Sequence, residues 1–142
     1  MKLKKSAVFV LRIGIGALFL YAGVIKAWSP DDFLKDVLSY QLLPYSVAVM
    51  TVWYLPYLEI LCGLSLMLGR QLKESLLVLA GLMAVFLMAI AISWARDLDI
   101  TCGCFGGSGE ANYPWLIFRD LLIGMGLFLI WRMDALADRN HP

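Results

Sequence analysis

Two cysteines separated by a single residue, Cys102 and Cys104, lie in the stretch TCGCFGGSGE at residues 101–110. A disulfide between residues this close in sequence needs a sharply bent backbone and stores strain. Strained, exposed disulfides are more oxidising than relaxed ones, and they are the labile or catalytic ones. Four glycines in the stretch allow the bend. The pair is therefore a candidate for thiol–disulfide exchange.

The same two thiols allow other interpretations. A closed zinc site needs further ligands, and the one histidine, His141, lies in the C-terminal tail, so we predict no resident metal. Transfer of a soft ion such as Cu(I) or Hg(II) needs only two sulfur ligands, and this alternative stays open. A purely structural turn is disfavoured, because paired exposed thiols seldom stay idle in an oxidising compartment.

Four charged residues, Lys26, Glu59, Arg119 and Asp120, lie in otherwise apolar stretches. Burying a charge at the bilayer centre costs about 3 kcal/mol on insertion scales, so Glu59 must face other helices. We expect Arg119 to reach Glu59, its neighbour Asp120 to point about 100° away, and Lys26 to extend toward the headgroups. This polar cluster is either part of a functional site or a structural ion pair. Cys62, one turn after Glu59, is expected to pack as a small hydrophobic side chain.

The elements that position these residues are predicted to be membrane helices. The chain has 142 residues, of which 61% are hydrophobic, and a mean hydropathy of +0.78. Its 12 basic and 11 acidic residues nearly balance, so nothing indicates a nucleic-acid partner. Four stretches are long enough to cross a bilayer, which takes about 20 apolar residues. They span residues 7–27, 47–69, 75–95 and 114–131, within a single domain at 1–142.

The basic residues predict the orientation of these spans. They are concentrated at the termini and in the second connection: Lys2, Lys4, Lys5, Arg70, Lys73, Arg132 and Arg139. Only Lys26, Lys35 and Arg96 flank the other two connections. The positive-inside rule then predicts that both termini are cytoplasmic. In a bacterial inner membrane the cysteine loop would face the periplasm, where disulfides persist. We expect the first span to be retained, because Lys26 interrupts any signal-peptide cleavage site.

The first outer connection, SPDDFLKDVLSYQLLP, predicts a short helix of its own. Ser29 is suited to the N-cap and Pro30 to the first helical position. Apolar residues from Phe33 to Leu38 recur at helical spacing, which indicates an amphipathic helix on the outer interface. We therefore predict an all-α protein, an integral membrane four-helix bundle with one interfacial helix in the first outer loop.

Several runs together resemble the MauE family, membrane proteins of methylamine utilisation within the wider DoxX-like group. These runs are LRIGIGALFLYAGVIKAWSPDDF, YQLLP, LPYLEILCGLSLMLG, ITCGCFGGSG and LIFRDLLIG. The resemblance covers nearly the whole chain, and the C-G-C-F-G loop is its most specific part. It implies that Cys102 and Cys104 are the family's cysteine loop, and that Lys26, Glu59, Arg119 and Asp120 correspond to its polar residues.

The resemblance also implies a function. A MauE-like protein is expected to work beside a periplasmic thioredoxin-fold partner in forming disulfides of the methylamine dehydrogenase small subunit. The leading hypothesis is thus a redox accessory that exchanges electrons through the C-x-C pair. A quinone-linked disulfide oxidoreductase is the second hypothesis, with a quinone as candidate cofactor. A soft-metal transporter component and a purely structural membrane partner are the alternatives of another class.

Overall fold

A computed structural model describes residues 2–100 and 112–139 of the chain, with side chains from 5–100 and 112–136. Cys102 and Cys104 lie outside the described residues. The five helices of the described part are α1 (Lys2–Trp28), α2 (Pro30–Ser39), α3 (Tyr45–Leu68), α4 (Leu72–Ala95) and α5 (Tyr113–Arg139). The prediction of an all-helical, four-span bundle is confirmed.

Four of these helices are long and apolar enough to cross a membrane. The qualifying segments are Lys5–Trp28, Tyr45–Leu68, Leu72–Ala95 and Tyr113–Leu136, each with 24 residues. A helix of this length rises about 36 Å, enough for a hydrocarbon core of about 30 Å. The chain is therefore a multi-pass membrane protein. Helix α5 runs to Arg139, beyond the expected end of the fourth span at residue 131.

The four long helices alternate in direction and pack as a ring. Helix α1 packs against α3, α3 against α4, α4 against α5, and α5 returns to α1. Helix α2 lies at one end of this ring, together with residues 96–100 after α4 and Asn112 before α5, and we call this end the α2 end. The turn between α3 and α4 lies at the other end. Gly69 in this turn has a left-handed backbone conformation with a φ of 71°. Residues with a side chain disfavour this conformation, and glycine is the usual residue there.

Helices α1 and α3 approach each other closely because glycines face each other across their contact. A Cβ added at Gly63 would lie only 2.8 Å from the carbonyl oxygen of Gly16 and 3.0 Å from the amide nitrogen of Leu20. A Cβ added at Gly23 would lie 2.7 Å from the carbonyl oxygen of Pro56. Small residues allow this backbone contact in membrane helices. We call this contact the α1–α3 seam.

The short helix α2 covers the end of the bundle. Pro30 occupies its first turn, as expected, whereas the side chain of Ser29 makes no capping hydrogen bond. Phe33 is the buried residue of the helix, and Lys35 on the exposed face bonds Asp32 at 3.1 Å. The predicted helix in the first connection is confirmed, and its apolar face is turned toward the bundle.

Candidate functional site

A buried ion pair joins α1 to α3 close to the α2 end. The ammonium of Lys26 donates to both carboxylate oxygens of Glu59, each at 2.8 Å. Each side chain is only 2% exposed. The seam of glycines brings the two helices close enough for this contact, with Gly23 and Pro56 one turn before the two charges. The expectation that Lys26 extends toward the headgroups is wrong, because α2 folds back over the end of α1.

Two phenyl rings enclose the ammonium of Lys26. Its Nζ lies 5.3 Å from the ring centroid of Phe33 on α2 and 5.2 Å from that of Phe86 on α4. Both distances fall within the range of a cation–π attraction, which strengthens when the cation is shielded from water. Four helices therefore meet at one buried charge. Sequence reasoning assigned Phe33 to an apolar helix face but did not identify this contact, and nothing marked Phe86.

A second ion pair lies on α5. Arg119 donates to Oδ1 of Asp120 through Nε at 3.0 Å and through Nη2 at 2.8 Å. The carboxylate of Asp120 is buried, and Arg119 is partly exposed. We expected these neighbours to point apart and Arg119 to reach Glu59. Instead, the long side chain of Arg119 bends back to its neighbour, while the described hydrogen bonds of Glu59 come from Lys26.

The structure does bring the four predicted polar residues to one place. Lys26, Glu59, Arg119 and Asp120 all line a void of about 30 Å³ between α1, α3, α4 and α5. The rest of its wall is apolar and includes Phe19 and Phe86. We call this space the polar void. The residues of the predicted cluster are therefore neighbours, although their pairing differs from the expectation.

A larger cavity opens between α3 and α4 beneath α2. Its volume is about 440 Å³, and its wall is almost entirely apolar. Phe33 and Phe86 belong to this wall as well as to the environment of Lys26, so the two rings separate the cavity from the buried ion pair. We call this space the apolar cavity. Its size is within the range of small-molecule sites.

The residues that lead into the cysteine stretch are held at the α2 end. Ile100, two residues before Cys102, is 2% exposed and packs with Tyr40, Ile90 and Leu116. Tyr40 also lines the apolar cavity. The chain thus enters the stretch from a packed apolar cluster that borders the apolar cavity.

Tyr113, the first residue of α5, holds the other side of the stretch. Its ring stacks on Trp94 with centroids 6.0 Å apart and an angle of 11° between planes. Its hydroxyl donates to the carbonyl of Leu98. Arg96 donates to the carbonyl of Gln41 at 3.4 Å, which ties the end of α4 to the connection after α2. Sequence reasoning did not find these anchors, because aromatic stacking between residues 19 positions apart has no local signal.

The third cysteine lies apart from this end. Cys62 is a free, buried thiol that packs with Ile15, Phe19 and Leu66 in the main apolar core. This agrees with the expected packing role. Within residues 2–100 and 112–139, no group of three or more histidine, cysteine, aspartate or glutamate residues is placed to hold a metal ion.

The family model and the curated relatives that match this chain all indicate the same family. Residues 4–132 match the family model of the methylamine utilisation protein MauE. MauE of Methylophilus methylotrophus is 37% identical over 126 residues, covering 87% of this chain and 60% of that protein. MauE of Methylorubrum extorquens is 31% identical over 121 residues, with coverages of 83% and 65%. MauE of Paracoccus denitrificans is 26% identical over 123 residues, with coverages of 85% and 66%.

The chain spans about 60–66% of the length of these curated relatives. No solved structure matches it significantly. The family match covers α3 and α4 in full, most of α1 and α5, and the connections between these helices. The chain belongs to the MauE family.

Proposed function

We propose that this protein is a membrane-embedded accessory of periplasmic thiol–disulfide chemistry, with Cys102 and Cys104 as its redox pair and a thioredoxin-fold protein as its partner. The observation that carries the proposal is the anchoring of both sides of the cysteine stretch, through Ile100 and Tyr113, at the α2 end. The basic residues are concentrated at the other end, which favours a periplasmic α2 end and cytoplasmic termini in the inner membrane.

The exchange itself needs two sulfurs and one partner disulfide. A thiolate of the pair attacks one sulfur of the partner disulfide, and the partner's other sulfur leaves as a thiolate. The second cysteine of the pair then attacks the mixed disulfide. The products are a Cys102–Cys104 disulfide and a reduced partner, so two electrons pass from the pair to the partner. The reverse sequence passes them back when the partner arrives reduced.

The names of the curated relatives associate them with methylamine utilisation. We extend this association to the present chain: its partner would carry disulfides to a methylamine dehydrogenase. The direct contact of this protein would still be with the thioredoxin-fold partner. The lipid bilayer is the second partner, because the four long helices need an apolar solvent.

The test is to trap the mixed disulfide. Replacing the resolving cysteine leaves the adduct with no thiol to release it, so either Cys102→Ser or Cys104→Ser should accumulate a reductant-sensitive complex with a thioredoxin-fold protein. The double variant should accumulate none. Two single variants that trap nothing and keep full function in cells would contradict the proposal. Loss of Cu(I) or Hg(II) binding in both single variants, with no adduct, would support soft-metal transfer instead.

A second candidate function, quinone-linked disulfide oxidation, is favoured by the apolar cavity. In this reaction two cysteine thiols give two electrons and two protons to a quinone, and a disulfide and a quinol result. A lipid-soluble acceptor needs an apolar site near the thiols. The cavity of about 440 Å³ meets that need, because Tyr40 in its wall packs on the residues that precede the cysteine stretch.

To test the quinone function, the reduced protein is mixed with a short-chain ubiquinone under anaerobic conditions. Reduction of the quinone is followed as a loss of its absorbance. Ala89→Phe fills the cavity wall and should abolish the reaction. Ala84→Phe, on the same helix but outside that wall, should preserve it. Equal rates for the two variants, or no reaction in the unchanged protein, would exclude this function and leave the exchange with a thioredoxin-fold partner standing.

A further inference from the structure

A groove lies between α4 and α5 at the end of the bundle opposite to α2. Its volume is about 370 Å³, and its wall shares no residue with that of the apolar cavity. Helix α4 lines it from Lys73 to Ala80, and α5 lines it from Gly124 to Trp131. We propose that this α4–α5 groove binds an anionic phospholipid, with an acyl chain along the groove and the headgroup near Lys73. This inference does not depend on the proposed redox function.

The shape and the surface of the α4–α5 groove suit a hydrocarbon chain. Leu76 and Leu127 are buried beneath it, and the small residues Ala80 and Gly124 lie at its far end. A Cβ added at Gly124 would have no atom within 4 Å, so the space beside this glycine is open. The seven residues from Lys73 to Ala80 rise about 10 Å along α4. A mostly apolar space of this length accepts part of an acyl chain.

The rim of the α4–α5 groove is open to the bilayer. Leu77, Phe128 and Trp131 line the groove and are 75%, 52% and 51% exposed. They belong to two of the segments that are apolar enough to cross a membrane. In a bilayer these side chains therefore face lipid and not water. A lipid can enter the groove sideways, between the two helices, and this access makes a lipid the natural occupant.

The charges at one end of the groove determine the kind of headgroup. Lys73 lines this end on α4, and the exposed Arg132 follows one turn after Phe128 on α5. An ammonium has three donors, so Lys73 can donate to a phosphate as well as to protein groups. A guanidinium binds phosphate through paired hydrogen bonds. Basic pockets between membrane helices are typical sites for anionic headgroups.

The neighbouring residues favour the same kind of lipid. Around this end the basic residues Arg70, Lys73 and Arg132 outnumber the acidic residues Glu74 and Asp134. Tryptophan rings favour the level of the headgroups in a bilayer, and Trp131 lines the groove at this level. The groove therefore offers an apolar channel for the chain and an excess of positive charge for the phosphate. An anionic phospholipid complements both parts.

The test is the binding of defined lipids to the delipidated protein in detergent, measured by native mass spectrometry. The probes are phosphatidylglycerol and phosphatidylcholine with identical acyl chains. We expect phosphatidylglycerol to bind about fivefold more tightly, the factor that one basic residue contributes near an anionic headgroup. Equal affinities for the two lipids would overturn the inference. A dimer that forms without lipid would also overturn it, because a second copy of the chain would then cover the groove.

Two matched pairs of variants place the lipid. Gly124→Leu fills the groove and should abolish the binding, whereas Gly14→Leu on α1 should preserve it, because its Cβ also has open space but lies outside the groove. Lys73→Gln should remove the preference for phosphatidylglycerol, whereas Lys5→Gln, at the same end of the bundle and outside the groove, should retain it. Equal binding by the two leucine variants, or a full preference in Lys73→Gln, would overturn the inference.

Discussion

The two faces of α3 make very different contacts. On one face, α3 packs against α1 along the α1–α3 seam, where the two helix backbones are in direct contact. The buried Lys26–Glu59 pair joins the same two helices. On the other face, α3 meets α4 around the apolar cavity of about 440 Å³. The same helix is therefore tightly packed against α1, whereas the half of its other face near α2 borders a cavity.

The difference indicates that the two contacts of α3 have different roles in the bundle. The seam has no room for an added methyl group and holds a charge pair whose separation would be costly, so it fixes the relative position of α1 and α3. The side of the cavity has room for a ligand and adjoins the residues that lead into the cysteine stretch. Under the proposed function, a rigid seam beside an open cavity would hold the cysteine stretch in place while a second molecule approaches.

The largest effect is expected from breaking the ion pair of the seam. Glu59→Gln keeps the shape of the side chain and leaves the ammonium of Lys26 buried without a counter-charge. Breaking a buried pair costs about 3–5 kcal/mol, so the free energy of unfolding should fall by that amount. Unfolding in detergent, followed by circular dichroism, measures the change.

The exposed pair on α2 supplies the matched control for this experiment. Asp32 and Lys35 are 74% and 76% exposed, and Asp32→Asn makes the same chemical change. It should cost less than about 1 kcal/mol. The double replacement Lys26→Met with Glu59→Leu should recover most of the loss, because it leaves no unpaired charge. A silent Glu59→Gln variant would show that the pair does not hold the seam.

An added methyl group in the seam should have the next largest effect. In Gly63→Ala the new Cβ meets the backbone of Gly16 and Leu20, which cannot move without separating the helices. We expect a loss of about 1–3 kcal/mol, as for other overpacked sites. Gly81→Ala is the control, because nothing lies within 4 Å of its Cβ, and it should gain about 0.5–1 kcal/mol. Equal stabilities of the two variants would contradict the tight seam.

The smallest effect is expected on the side of the cavity. Ala89→Leu adds three carbons to the cavity wall, where space is present. The free energy of unfolding should change by less than about 1 kcal/mol, the usual size of a single substitution. The same change at Ala48, which is fully buried, should cost about 1–3 kcal/mol. A greater loss at Ala89 than at Ala48 would mean that the cavity closes in the membrane.

Much of the fold followed from local patterns in the sequence. Long apolar runs predicted the four membrane helices, and the run from Pro30 predicted α2, because both signals depend on hydrophobicity and periodicity within one segment. Helix α5 continues past residue 131, where the fourth apolar span was expected to end, because Arg132 and Asp134 interrupt the apolar run without ending the helix. Charged residues near a span end reduce hydropathy but do not break a helix.

Less of the candidate site followed from the sequence. Membership of the polar cluster could be predicted, because each charge in an apolar stretch needs a partner. Which residues pair within the cluster could not be predicted. The burial of Lys26 depends on the way in which α2 folds back and places Phe33 beside the ammonium. The apolar cavity arises from the spacing of α3 and α4, which no single segment encodes.

The most direct measurement of the central claim is the accessibility of the thiols from outside the cell. Intact spheroplasts are reduced mildly and treated with a membrane-impermeant maleimide, and the protein is digested and analysed by mass spectrometry. Cys62 is the internal control, since it is buried in the core. The account predicts labelling of Cys102 or Cys104 and none of Cys62. Labelling of the pair only after permeabilisation would place it on the cytoplasmic side and contradict the proposed function.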